Sequence, residues 1–290
     1  MTRYDGDPKP LRSVAETLAA EAAEFVRARR AEVFGAAAGA PDSGAVRSKS
    51  TPTDPVTVVD TETERLLRDR LAQLRPGEPI LGEEGGGPTG SAPTADTVTW
   101  VLDPIDGTVN FVYGIPAYAV SVAVQVDGVS VAGAVADVVA GRVYSAANGL
   151  GAHVTDGRGT HALRCSTVDD LSMALLGTGF GYSRRRRATQ AALLARMLPV
   201  VRDVRRIGSA ALDLCMVAAG RLDAFYEHGL QAWDSAAGAL IAAEAGARVL
   251  LPAPNGSVGG TGLVVAAAPG IADELLAALE RFNGLEPIPD

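Results

Sequence analysis

A chain of 290 residues, 47% apolar and 21% charged, is long enough for one large core or two intimate ones. Its net charge of −8 disfavours nucleic-acid or anionic-membrane binding through a general basic field. Two cysteines, Cys165 and Cys215, and three scattered histidines give neither a disulfide framework nor a zinc signature, and no apolar run has signal-peptide or membrane-spanning character. A soluble, cytoplasmic protein is therefore expected.

Residues 1–9 are polar. Over residues 11–33 apolar side chains (Leu11, Val14, Leu18, Ala22, Phe25, Val26) recur at helical spacing and predict an amphipathic helix. Residues 35–55, rich in Gly, Ala, Ser, Pro and Asp, read as a long loop of the kind that serves as a lid. A second helix is predicted over 60–74, stopped by Pro76-Gly77. Ile80-Leu81-Gly82 is a short strand running into Glu83 and Glu84, and 85–97 is a surface loop. An apolar run over 98–102 reads as a buried strand that delivers Asp103 and Asp106. Pro104 stiffens the backbone between them, and Gly107 allows a sharp turn that exposes the following N–H groups.

From 117 to 154 a β-branched, alternating pattern with turns at Asp127-Gly128 and Gly141-Arg142 predicts consecutive antiparallel strands. Beyond 160 the rhythm changes. Strand-like segments (173–177, 203–206, 222–226, 247–250, 262–266) alternate with helical ones (187–200, 209–219, 233–245, 270–281), which implies an α/β half. The expected division is 1–160, helices plus an antiparallel sheet with most of the acids, and 161–290, the α/β half, in one integrated catalytic unit.

Three segments end in acids where the chain turns: Glu83-Glu84, Asp103-Pro-Ile-Asp106 and Trp233-Asp234. Each alone has a plain explanation. The D-x-x-D-G run is as readily an Asx turn, Trp-Asp a helix N-cap, and Glu-Glu a solvated pair. Asp60, with Thr63 and Glu64 beyond it, reads as a helix cap. Together they suit a hard cation, because Mg²⁺ takes oxygen ligands and paired ions need carboxylates from different segments. A phosphatase with a nucleophilic aspartate would need a D-x-D motif; here the two acids are three apart. The four consecutive arginines Arg184 to Arg187 read as a solvated run in a loop before a helix, or more sharply as the edge of a site for an anionic partner or substrate.

Several of these motifs, in order, resemble the inositol monophosphatase family, closest to its bacterial SuhB-like branch and of actinobacterial type. They are Lys49-Ser-Thr-Pro-Thr-Asp54-Pro-Val-Thr-Val-Val-Asp60, Gly82-Glu83-Glu84, Asp103-Pro-Ile-Asp-Gly-Thr108-Val-Asn110, Arg206-Ile-Gly-Ser-Ala-Ala-Leu-Asp213, Asp223-Ala-Phe-Tyr-Glu227 and Trp233-Asp-Ser-Ala-Ala-Gly238. The one departure is Ala232, where the family often has Cys or another small residue. The resemblance implies a five-layered αβαβα sandwich and Mg²⁺-dependent, lithium-sensitive hydrolysis of phosphate monoesters by metal-activated water. Inositol 1-phosphate is the implied substrate, with two to three Mg²⁺ per site and a homodimer.

It further implies that Glu83, Asp103 and the Ile105 carbonyl hold one ion, that Asp103, Asp106 and Asp234 hold a second, and that a third lies near Glu83. Asp60 and Thr108 would orient the attacking water, with Lys49 approaching it. The N–H groups of Gly107 and Thr108 would hold phosphate, and Glu227 with Gly208, Ser209 and Ala210 would face the sugar-like hydroxyls beside Asp106. Sister phosphatases acting on fructose 1,6-bisphosphate, histidinol phosphate, NADP or 3′-phosphoadenosine nucleotides share the acidic core and remain alternatives. So does a non-enzymatic role as a transcription-associated scaffold.

Overall fold

The computed structural model describes residues 6–35, 46–49, 53–87, 97–252 and 262–288. Helix α1, Lys9–Phe34, buries a stripe of Leu11, Ala15, Leu18, Ala19, Ala22, Ala23 and Val26. The small residues of that stripe let the helix lie close on a sheet. Part of the segment read as a loop over 35–55 is ordered: β1, Val46–Ser48, pairs antiparallel with β2, Pro55–Thr57. Residues 36–45 and 50–52 lie outside the described set.

Helix α2, Val58–Leu74, starts two residues earlier than its apolar pattern suggests, and Asp60 is not its cap. Thr57 is the N-cap, and Asp60, at the third helical position, closes a capping box by accepting from the Thr57 N–H at 2.9 Å. Thr57→Ala is expected to cost about 1–2 kcal/mol, read as a lowered urea midpoint in chelator-treated protein.

The first sheet has seven strands in chain order: β3, Ile80–Gly82; β4, Val98–Asp106; β5, Ala119–Val126; β6, Val129–Asp137; β7, Arg142–Ala147; β8, Ala152–Asp156; and β9, Gly159–Ala162. β3 and β4 are parallel, and the rest form the antiparallel meander predicted from the alternation. Asp127 and Gly128 both have positive φ, as a two-residue hairpin turn requires. β4 runs four residues further than the apolar run indicates, so Asp103 and Asp106 sit in its irregular C-terminal end. A short helix α3, Thr108–Tyr113, follows directly, with no periodic pattern in the sequence to announce it.

The second sheet has the order β11-β10-β12-β14-β13, with β10, Leu175–Thr178; β11, Asp203–Arg205; β12, Ala224–His228; β13, Arg248–Leu250; and β14, Leu263–Ala267. Its helices are α4, Arg184–Met197; α5, Ala210–Ala218; α6, Ala232–Glu244; and α7, Ala272–Arg281. The arginine run is therefore the first turn of α4, capped by Ser183, rather than a loop.

The layers follow from which faces are apolar. α5 and α6 carry buried residues over most of their surface, so both lie inside the molecule. They fill the space between the two sheets, where Leu214, Cys215, Ala237 and Ile241 pack with Val101, Phe225 and Val264. Gly133 on β6 allows this approach, since a Cβ there would come within 3.1 Å of the α6 backbone at Ala237. α1 and α2 cover the outer face of the first sheet around Trp100 and Phe111, and α4 and α7 cover the outer face of the second through Leu193, Met197, Leu275 and Leu279. The result is the expected five-layered αβαβα sandwich. No helix among the described residues is long and apolar enough to cross a membrane.

Candidate active site

The end of β4, the start of α6 and the start of α5 meet at one cavity of about 700 Å³. Asp103 and Asp106 arrive from β4 and Asp234 from α6, and each offers a carboxylate oxygen within 4.8 Å of the others. Asp103 is 1% exposed. Its Oδ1 accepts from the Ile105 N–H at 3.0 Å, within the turn that Pro104 stiffens. Asp106 is held by the Ser209 hydroxyl at 2.6 Å and the Ala211 N–H at 2.7 Å, which fixes it at the N-terminus of α5. Asp234 accepts from the Gln231 N–H at 2.6 Å, the capping-box bond of α6.

Like charges crowd this site. Burial, then Glu83, Asp106 and Asp234, raise Asp103 well above the ordinary carboxylate range. Burial and then Glu83 and Asp106 do the same to Asp234. Asp106 is raised to about 6, mainly by burial, against the lowering effect of its Ser209 and Ala211 bonds. Three hard oxygen donors that repel one another in a buried cradle, with no His or Cys among them, fit a hard divalent cation.

Glu83 lines the same cavity, shares a hydrogen bond with Asp103 and is also held by Lys49. The Lys49 ammonium donates to Glu83 Oε1 at 2.7 Å and also to Glu84. Burial works to lower the Lys49 pKa, but the two carboxylates outweigh it and the net shift is upward. The Glu83-Glu84 turn rests on Glu64, which is buried and accepts from the N–H groups of Glu84 at 2.7 Å and Gly85 at 2.8 Å and from Arg68 Nε at 2.7 Å. Glu64 is therefore a support of this turn, not part of the α2 cap. Its partners lie 20 and 21 residues away, so no local signal marks it.

Asp60 and Thr108 meet as the resemblance implies. The Thr108 hydroxyl lies 3.2 Å from Asp60 Oδ1 and 3.0 Å from the Ile105 carbonyl. Burial raises Asp60 to about 7, against its bonds from Thr57. Gly107 has φ 93°, and a Cβ there would come within 3.0 Å of the Ala117 and Gly208 carbonyls. This tight turn places Gly107 and Thr108, at the start of α3, in the cavity wall. Asn110 completes it by donating to the Ala117 and Ile207 carbonyls at 2.7 and 2.9 Å. Asn110 stands in the motif, but its role is legible only once the Ile207–Gly208 turn is seen beside it.

Gly208, Ser209, Ala210 and Glu227 also line the cavity, with Gly208 and Ser209 directly against Gly107 and Asp106. The Ser209 hydroxyl is committed to Asp106 and to the Leu212 N–H. The Glu227 carboxyl has no hydrogen-bond partner among the described residues, and burial raises it to about 8, opposed by Arg206. It lies where a Cβ on Gly179 would stand. Gly179 has no unusual φ, so Gly179→Ala should fold normally and displace Glu227 alone. If Glu227 takes substrate hydroxyls, KM for a polyol phosphate should rise about tenfold with kcat changed less, as loss of one buried polar contact implies. Steady-state kinetics beside a thermal melt checks this.

Fold and site together define a metal-dependent phosphatase. The chain belongs to the inositol monophosphatase family, whose model matches residues 7–284. It is 81% identical over 291 residues to the inositol-1-monophosphatase of Mycobacterium leprae, covering 100% of both chains. Among solved structures, Mycobacterium tuberculosis SuhB is similar with a TM-score of 0.82 and 70% identity, over 97% of this chain and 100% of that one. A more distant relative, the Nus factor SuhB of Pasteurella multocida, is 40% identical over 228 residues, 78% of this chain and 83% of the relative.

Proposed function

We propose that the chain is a magnesium-dependent inositol-1-phosphate phosphatase that releases myo-inositol and phosphate. The observation that carries this reading is the convergence of Asp103, Asp106 and Asp234 in one buried cradle, in a cavity that Glu227 also lines. In this reading Glu83, Asp103 and the Ile105 carbonyl hold one Mg²⁺, and Asp103, Asp106 and Asp234 a second, with a third near Glu83. Bound Mg²⁺ neutralises phosphate charge and acidifies a water.

The chain's own groups do the rest. The N–H groups of Gly107 and Thr108 hold the phosphate oxygens. The Thr108 hydroxyl, backed by Asp60, orients the incoming water, with Asp60 acting on it only through that hydroxyl. Lys49 balances the charge of Glu83 and Glu84. Glu227, with the turn at Gly208 to Ala210, accepts hydrogen bonds from neighbouring hydroxyls and so selects a polyol. A cytoplasmic homodimer is part of the same reading, to be checked by light scattering against a protomer of 29.7 kDa.

The test is phosphate release, with and without Mg²⁺, from inositol 1-phosphate, fructose 1,6-bisphosphate, histidinol phosphate, NADP and 3′-phosphoadenosine 5′-phosphate. A Mg²⁺-dependent preference for inositol 1-phosphate is expected. Preference for another ester would keep the chemistry and replace the substrate; release from none would remove the enzymatic reading. The relative named a Nus factor favours a second reading, a binding role in transcription. Rescue of a deletion strain by an inactive Asp103→Asn chain would support that role.

A further inference from the structure

The arginine run has no part in the reaction as read above, yet its third member is built into the cavity. Arg186 is 6% exposed, unlike its neighbours Arg185 and Arg187, and it lines the cavity wall. Two glycines give it room. A Cβ on Gly181 would lie 2.8 Å from Arg186 Cδ, and one on Gly229 would overlap the guanidinium. The Arg186 Nε donates to the Ile288 carbonyl at 3.1 Å, so the C-terminal tail is tied to the guanidinium.

One turn further along α4, Gln190 joins the same segments. Its Oε1 accepts from the Gly181 N–H at 2.9 Å, and its Nε2 donates to the His228 carbonyl at 3.3 Å. The His228 ring Nε2 lies 2.8 Å from the Gly284 carbonyl. The first two turns of α4 thus tie together the segment after β10, the segment after β12 and the tail at 284–288. The first two of these segments wall the end of the cavity beside Glu227.

A guanidinium so far from water is costly, and an aliphatic side chain would serve a purely structural core at least as well. What a rigid, planar fork adds is a fixed spacing between the segments it touches. We propose that Arg186, braced by the C-terminal tail, sets the width of the leaving-group end of the cavity and excludes phosphate esters bulkier than a single polyol ring. The proposal rests on the phosphatase reading above and makes Arg186 a positioning residue that acts through the Gly181 and Gly229 segments.

The test compares a nucleoside 2′-phosphate with inositol 1-phosphate as substrates, in Mg²⁺, for wild type, Arg186→Met and a chain ending at Leu285. The ratio of kcat/KM, bulky over small, should rise about tenfold in both variants, mainly through KM, the scale on which pocket size discriminates. Arg185→Ala, an exposed neighbour, is the control and should leave the ratio unaltered. Should Arg186→Met fail to give a cooperative melt, the shortened chain decides. An unchanged ratio, or equal losses of kcat on both esters, would overturn the proposal, since a merely structural role gives that pattern. Wild type inert towards both esters would overturn it together with the reading beneath it, a failure visible before any variant is made.

Discussion

Asp103→Asn is expected to lower phosphate release by about a thousandfold or more while leaving the metal-free fold at least as stable as wild type. The two effects have one cause. Asp103 is the most buried of the three clustered acids, and its charge is opposed by Glu83, Asp106 and Asp234. An amide there keeps the shape and can still accept from the Ile105 N–H. It removes one anionic ligand from a site that has to neutralise both metal and phosphate, and a thousandfold loss is about 4 kcal/mol of barrier. In chelator the same change relieves repulsion, so the melting temperature should hold or rise by a few degrees, more so at higher pH where the carboxylates must ionise. Phosphate assay, Mg²⁺ titration and a melt in EDTA check the three parts. A fall in both activity and metal-free stability would instead mean that the substitution disrupts the fold.

The sequence reading and the structure diverge at Asp60 and Asp234 in an instructive way. Each reads from sequence either as a helix cap or as a site residue, Asp60 orienting water and Asp234 holding metal, and both are the third residue of a capping box. Asp60 serves two elements at once: Oδ2 closes the box with Thr57 while Oδ1 faces Thr108. The helix terminus that a carboxylate stabilises also fixes its other oxygen, so the plain and functional readings are not rivals there. Alternation, turn residues and strand-end acids carry the seven-stranded meander and the convergence of Asp103 with Asp106, because those signals are local. Glu64, Asn110 and Arg186 are not legible as supports, since each acts on backbone 7 to 102 residues away. The arginine run is legible only in part: three of its members are exposed, as a solvated run implies, while Arg186 lines the cavity. Composition marks it as solvated, and only the glycines at 181 and 229 show that one of the four is enclosed.

Metal-free protein should lose stability as pH rises from about 5 to 8, the reverse of the usual behaviour of carboxylates, and Mg²⁺ should cancel the loss. Asp60, from an ordinary value of 3.8 to about 7, and Asp106, to about 6, are both raised by folding. Between those limits the folded chain holds protons that the unfolded chain has released. Stability is then fully present below about pH 4 and declines as pH climbs through the folded values. For Asp60 alone the loss over its whole titration is on the order of 4 kcal/mol, about half of it between pH 5.5 and 8. Asp103, Asp234 and Glu227, all raised by burial, add in the same direction. Of the groups shifted the other way, the lowered acids Glu21, Asp170 and Asp203 titrate below this window, and His228, lowered by burial, opposes the trend inside it as a single group against several raised carboxylates. A divalent ion competes with the same protons, so its stabilisation grows as they leave. Urea denaturation near pH 5.5 and near pH 8, in EDTA and in Mg²⁺, reads the effect directly. The EDTA midpoint should fall with pH and the Mg²⁺ midpoint should not. An EDTA midpoint that rises over the same range would mean that the acidic cradle is already neutralised within the chain, with no charge left for a cation to satisfy.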